Sequence, residues 1–405
     1  MITDPLKCTG CQACRLICPE QCIGFTEDKE GFPVPEKDMA RCTDCGECAS
    51  LCPENNRSDL TQNECVRVVG AKYKNDALLS KSASGGGFAG IAKTVLEKPD
   101  SAVFGCAFDD NMIARHVYVT DLKEITPLQN SKYVQSDVGD AYLQARALLD
   151  EGKTVFFTGM PCQIAGLYAF LGRDHDNLLT ADLICHGVPS PMLFRKYLGW
   201  LGRKHGGEIT DYDFRCKEKN GWGYMIKATI KTGTGTKTKT IIPYVDPYFN
   251  SFLSTYTFRE CCYACQYANS SRTADLTLGD FWGVEESHPE FHDLKGVSVV
   301  LINTKKGENF FSAMQDDFDI VESTYEKAAA RNWNLSQPSL RPPQRDLAYS
   351  VAGGEEIDFI NNPAFRIGKR KVFRVCFKAS VKQVFKSIPL LEKMYRAVKG
   401  TQRAK

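Results

Sequence analysis

CTGCQACRLICP, residues 8–19, places four cysteines within eleven residues and closes on a proline, and CTDCGECASLCP, residues 42–53, repeats the spacing. Both read C-x2-C-x2-C-x3-C-P. Three thiolates at this pitch wrap a loop around one face of an iron–sulfur cubane, while the fourth, followed by the proline, ligates the other cluster. The spacing predicts Cys8, Cys11, Cys14 and Cys52 around one [4Fe–4S] cluster, and Cys42, Cys45, Cys48 and Cys18 around a second. The alternative is a pair of zinc knuckles, although zinc sites usually separate two ligand pairs by a long insert. Cys22, in CPEQC (18–22), is read as a small apolar residue packed against a cluster.

Over residues 3–56 the segment resembles a bacterial two-cluster ferredoxin, and residues 1–60 are expected to form that domain. Such pairs pass single electrons, so the remaining chain must show where electrons come from or go.

A chain of 405 residues is expected to divide into two or three domains. Its 43% apolar and 25% charged residues fit a globular protein. No apolar run reaches the ~18 residues of a membrane span. The start MITDPLKCTG has no signal-peptide pattern, so a cytoplasmic location is expected. There, 18 cysteines read as metal ligands or redox groups rather than disulfides. Residues 366–405 hold thirteen Lys/Arg and one acid, Glu392, a net of +12, which leaves the other 365 residues at −10. An acidic body without a basic–aromatic groove argues against nucleic acid as a partner.

The centre alternates strand and helix signals. Strands are expected at 102–108, 115–120, 154–159 and 178–185, and helices at 139–152, 163–172 and 190–206. SASGGGFAGIAKTVLEK (82–98) reads as a glycine-rich turn entering a helix, and residues 224–245 as a largely solvated hairpin. The class is therefore α/β with an added antiparallel part. Cys162 follows one strand and Cys185 ends the next, so both thiols converge if those strands are neighbours. Cys262 and Cys265 form a C-x2-C, and the four together suffice for a third cubane. The other readings are buried, unligated Cys162 and Cys185, or a zinc at the C-x2-C.

SGGGF (84–88), NSKYVQS (130–136), FFTGMPCQIAGL (156–167), ADLICHGVPSP (181–191), FRCK (214–217), CYAC (262–265) and ADLTLGDFWG (274–283) together resemble the family of coenzyme F420 hydrogenase/dehydrogenase beta subunits. The form it most resembles has a two-cluster ferredoxin fused in front. The resemblance covers residues 1–340 and implies a flavin, FAD, beside a [4Fe–4S] cluster. It also implies transfer between an F420-like deazaflavin or other hydride carrier and the clusters. It strengthens Cys162, Cys185, Cys262 and Cys265 as ligands of a third cluster, with Cys261 as the substitute for Cys262. Ser84, Gly85, Gly86 and Gly87, at a helix start suited to a phosphate, become flavin-binding candidates. Ser131, Lys132, Tyr133 and Ser136 resemble the family's other flavin segment. The plain readings of these residues are a flexible loop, a core aromatic at Tyr133 and a solvated charge at Lys132. His186 is the catalytic candidate, as a proton donor, or else it tunes the neighbouring cluster. Arg215 and Asp280 are weaker candidates, and Phe281 and Trp282 read as core. Residues 65–150 and 151–345 are expected to form the two parts of this flavin domain.

Residues 372–388 set Phe373, Phe377, Val381, Val384 and Ile388 on one helical stripe, with Arg374, Lys378, Lys382 and Lys386 beside it. The basic helical tail, residues 366–405, either folds against the acidic body or touches an anionic membrane or a partner, placing the protein at the inner membrane face. NLSQPSLRPPQRD (334–346) is a linker or a wrapping arm. The expected function is an iron–sulfur flavoprotein oxidoreductase serving a ferredoxin or partner enzyme. The rivals are a non-catalytic electron-relay subunit and a zinc-stabilised scaffold.

Overall fold

The computed structural model describes residues 4–218, 221–223 and 225–377. The cysteine-rich start is built on one hairpin, Ile23–Glu27 antiparallel to Pro33–Lys37. Two short helices, Ala13–Ile17 and Glu47–Ser50, carry the third cysteine of each frame. The residue before each helix is left-handed, Gln12 at φ 66° and Gly46 at φ 81°. The two frames thus share a turn as well as a spacing.

Behind them stands a mixed eight-stranded sheet in the order Phe318–Ser323, Arg67–Tyr73, Ser298–Ile302, Leu276–Asp280, Leu178–Leu183, Thr154–Gly159, Ser101–Phe108, Ala114–Val119. The four strands from Leu276–Asp280 to Ser101–Phe108 run parallel, and both flanks are antiparallel. Parallel strands are covered on both faces, which explains a run such as TVFFTG with no polar alternation. Phe156 packs into the layer under the helix Gly87–Leu96, while Phe157 packs under Ala141–Asp150 and Pro161–Leu171. Consecutive side chains on a strand point to opposite faces.

A three-stranded antiparallel sheet, Glu208–Asp213, Ile226–Thr232 and Gly235–Ile241, forms the added part. Its central strand buries Ile226, Ala228 and Ile230 in an aromatic core with Phe194, Tyr197, Tyr248 and Phe249, so only the last strand is solvated as expected.

The segment 334–346 wraps rather than links. Ser339 Oγ donates to His186 O at 2.7 Å, Arg341 pairs with Glu260 at 2.7 Å, and buried Arg345 pairs with Glu30 at 2.6 Å. At the tail, residues 369–377 are helical, but Phe373 and Phe377 are 72% and 59% exposed. That corrects the expectation that this stripe packs on the body. The other stripe residues, Val381, Val384 and Ile388, lie outside the described residues. Among the described residues no helix is long and apolar enough to cross a membrane.

The ferredoxin-like segment is clamped by two buried arginines. Arg259 donates to Cys8 O (2.6 Å), Pro33 O (3.0 Å) and Gln135 Oε1 (3.1 Å), and Arg345 holds Glu30. Gln12 Nε2 donates to Asp137 at 2.7 Å. On the helix Pro161–Leu171, Gly166 makes the contact possible: a Cβ there would stand 2.9 Å from the Cys11 Cβ and 3.1 Å from its sulfur.

Candidate functional site

Three sets of thiols each ring a cavity. The inner ferredoxin-type cavity is lined by Cys8, Cys11, Cys14 and Cys52. Burial pushes the thiols of Cys11 and Cys14 up, Cys14 to about 12, and the neighbouring Cys8 and Cys52 add to both shifts. An outer cavity of about 130 Å³ is lined by Cys18, Cys42, Cys45 and Cys48, with Cys22 as a fifth thiol. These are the two groupings the spacing predicts. The inner set faces the body, whereas Cys45 is exposed.

The third cavity, about 610 Å³, is lined by Cys162, Cys185, Cys261, Cys262 and Cys265. Cys162 lies in the first turn of Pro161–Leu171, and Cys185 lies two residues beyond Leu178–Leu183. Their strands are direct neighbours, so the carboxyl ends deliver both thiols to one place. Cys262 and Cys265 come from a 3-10 turn, Glu260–Ala264, and the residue after it. Burial pushes Cys162 and Cys265 up, Cys265 to about 12, and the other thiols of the set add to it. A hydrogen bond from Cys261 lowers Cys262 instead. Among the described residues no three metal-ligating side chains close on a single point. Thiols ringing a void suit a multinuclear cluster better than one ion.

A fourth cavity, about 420 Å³, adjoins the third. Ser84, Gly86, Gly87, Ser131, Lys132, Tyr133 and Ser136 all line it, which brings together two segments more than forty residues apart. Gly85 sits behind the wall, where a Cβ would collide with Ala71 O and Ser298 N. The Gly87 N–H, one of the amides expected to face a phosphate, already donates to Ser298 Oγ at 3.2 Å. Met160, Cys185, His186, Gly187 and Val188 line this cavity and the third one alike. The His186 ring stands edge-on to Phe252, 6.5 Å between centroids, and burial pushes its pKa down.

Two readings need correction. Lys132 is no solvated charge: its ammonium donates to Pro127 O (2.6 Å) and Gln129 O (2.7 Å), and burial pushes it down to about 8. Trp282 is not core. It lines the cavity, its ring stacked on Trp222 with centroids 5.0 Å apart, whereas Phe281 is fully buried.

Two of the weaker candidates hold the walls. Arg215, 1% exposed, forks onto Asp280 (2.8 and 2.9 Å) and donates to Tyr133 OH (2.9 Å) and Ala83 O (3.1 Å). It joins the glycine-rich turn, the Tyr133 segment and the end of Leu276–Asp280. Burial pushes Asp280 up, but the Arg215 guanidinium and the Trp222 indole bring it below the usual carboxylate range.

A second chain of bonds runs along the shared wall. His116 Nε2 is 3.2 Å from Thr158 O and its Nδ1 is 3.1 Å from Ser136 Oγ. Gln163 Nε2 donates to Ser136 Oγ at 3.0 Å, and Gln163 Oε1 accepts from Met160 N–H at 3.0 Å. A neutral His116 satisfies this chain by donating to the carbonyl and accepting from Ser136. Burial pushes His116 down to about 4, against upward pulls from Thr158 O and Asp137. The folded state therefore binds fewer protons than the unfolded chain below pH ~6.5. Stability from this group is complete above that pH and is lost as pH falls toward 4, by on the order of 3 kcal/mol. Urea midpoints across this range should fall in the parent and flatten in His116→Gln; parallel profiles would assign the loss elsewhere.

Residues 152–328 match the family model for the C terminus of the coenzyme F420 hydrogenase/dehydrogenase beta subunit, and residues 7–56 match the model "4Fe-4S dicluster domain". The chain is 23% identical over 328 residues to the F subunit of F(420)H(2) dehydrogenase from Methanosarcina mazei, covering 78% of this chain and 84% of that protein. In the structure of the F420-reducing [NiFe] hydrogenase complex from Methanosarcina barkeri, one chain aligns with a TM-score of 0.43 and 20% identity. That alignment covers 73% of this chain and 89% of that one. Residues 152–328 are thus similar to the C terminus of coenzyme F420 hydrogenase/dehydrogenase beta subunits, and residues 7–56 to an iron–sulfur dicluster domain.

Proposed function

We propose that the chain is an oxidoreductase subunit holding FAD in the 420 Å³ cavity and [4Fe–4S] clusters in the three thiol-ringed cavities. The observation that carries this reading is the wall shared by the two larger cavities, with the inner ferredoxin-type thiols packed on the same helix. Volume and lining suit the flavin: ligand sites run to about 300–1,000 Å³ and are mostly apolar with a few placed polar groups. When bound, a flavin exchanges electron pairs with a hydride carrier and single electrons with clusters.

The chain's own residues do the rest. Phe252, Leu278 and Val188 keep the cavity apolar, while Arg215 and Asp280 fix its Tyr133 wall. The His116–Ser136–Gln163 chain fixes the wall beside Cys162. His186, on the shared wall, is the proton donor. The hydride carrier is an F420-like deazaflavin or another small molecule, and the outer, exposed thiols face a ferredoxin or partner enzyme. The relative in Methanosarcina mazei is itself named as one subunit of a dehydrogenase, which supports a protein partner.

Anaerobic titration with F420H2, NADH, NADPH and reduced ferredoxin tests the reading. One hydride carrier should bleach a releasable flavin and then the iron–sulfur absorbance. Bleaching should slow roughly 100-fold in His186→Gln at unchanged flavin and iron content. Loaded protein that no carrier bleaches would be a relay subunit instead.

The exposed Phe373 and Phe377, beside Lys369, Arg370 and Arg374, further support contact of the tail with an anionic membrane surface. Full-length protein should sediment with phosphatidylglycerol-containing vesicles, and a chain lacking residues 366–405 should not. Equal partitioning removes this contact.

A further inference from the structure

The two ferredoxin-type sites share a ligand spacing but not their surroundings. The inner one is dry: Cys8, Gly10, Gln12 and Ala13 are buried, and the half-buried carboxylate Glu54 lines it. The nearby cation Arg259 directs its guanidinium to Cys8 O, Pro33 O and Gln135 Oε1, all oxygens rather than sulfurs. The outer site is open to water at Cys45 and has two added donors. The turn Cys18–Gln21, with Gln21 left-handed at φ 47°, brings the buried Cys22 sulfur to 3.4 Å from Cys18 Sγ. Lys37 lines the same cavity, 2.9 Å from Asp44, whose backbone N–H donates to Cys42 Sγ at 3.3 Å.

We infer that Cys22 and Lys37 make the outer site the higher-potential member of the pair, so that an electron reaching the inner site moves outward. This rests on the proposal that both sites hold [4Fe–4S] clusters. Reduction adds one negative charge to a cluster, and hydrogen bonds to its sulfurs, nearby cations and solvent all favour that charge. Burial and a neighbouring carboxylate oppose it. Each transfer is one electron, lost by the inner cluster and gained by the outer. Glu20, Asp44 and Glu47 also line the outer cavity, Asp44 with its carboxylate 3.9 Å from Cys42 Sγ, but all three are exposed, where water and salt screen them. Cys22 and Lys37 are positioning residues, acting through Cys18 and Cys42.

The test is an anaerobic redox titration of the full chain followed by EPR, after iron and sulfide assay. Missing iron would strike the cluster reading itself and not the polarity. In loaded protein, a soluble dysprosium chelate should broaden the signal of the exposed cluster, and that signal should be the first of the ferredoxin pair to appear on reduction. Lys37→Met and Cys22→Ala should each move it to lower potential and leave the inner signal in place, whereas Lys37→Arg should restore it. If the chelate-sensitive signal appears second, or neither variant moves it, the assigned polarity is wrong.

Discussion

A Cys162→Ser/Cys185→Ser variant, reconstituted anaerobically, is expected to hold about eight irons per chain where the parent holds about twelve. It should keep both ferredoxin-type EPR signals. Among the described residues none of those eight cysteines lines the third cavity, although Cys11 packs on Gly166 of the helix that carries Cys162. Serine preserves size and drops the soft thiolate that iron–sulfur clusters require. Carrier-driven reduction of the remaining clusters should stop, since the cavity between the carrier pocket and the inner site has lost two of its ligands. Cys261→Ala should keep full iron and Cys262→Ala should lose about a third of it. This follows from the C-x2-C spacing that pairs Cys262 with Cys265. Full iron in the double variant would remove the third site from the account.

Replacing Arg215 should have the largest effect on stability. Arg215→Met leaves the Asp280 carboxylate buried without its cation, held by the Trp222 indole N–H at 2.6 Å and by Ser84. Breaking one side of a buried ion pair typically costs about 3–5 kcal/mol. The same change removes the donor that Arg215 gives to Tyr133 OH and Ala83 O, so flavin retention should fall together with the denaturant midpoint. Arg215→Lys should not rescue it, because a single ammonium cannot hold both carboxylate oxygens and two further acceptors in a fork. Asp280→Asn in the Arg215→Met background should recover part of the stability by removing the orphaned charge. An Arg215→Met midpoint equal to the parent's would show that the fork holds nothing together.

What could be read along the chain was what depends on near neighbours. The strands expected at 154–159 and 178–185 are found at Thr154–Gly159 and Leu178–Leu183, and the helix expected at 163–172 runs Pro161–Leu171. The solvated-charge alternative for Lys132 fails, although a lysine in a polar loop is normally solvated. Its ammonium turns back onto carbonyls of its own loop, a local contact with no periodicity to reveal it. Trp282 looked like core because it follows a buried strand; only the position of Trp222, sixty residues earlier, shows its face on the cavity. Arg215 drew little notice although it bonds residues 132, 82 and 65 positions away. No pattern in one sequence encodes such separations.

The amino-acid sequence by itself marked the two ferredoxin-type thiol sets, because three thiols of each fall in one short loop and the fourth is the last cysteine of the other, repeated frame. It also determined the alternation that makes the centre an α/β sheet. Only the tertiary structure decided that Cys162 and Cys185 meet Cys262 and Cys265, since that depends on which strands become neighbours. It alone decided that the glycine-rich turn and the Tyr133 segment share one cavity, and that one thiol set faces inward while the other faces water. Those outcomes come from strand pairing, buried arginines and close helix contacts, and the arginine contacts join residues from 65 to 315 positions apart.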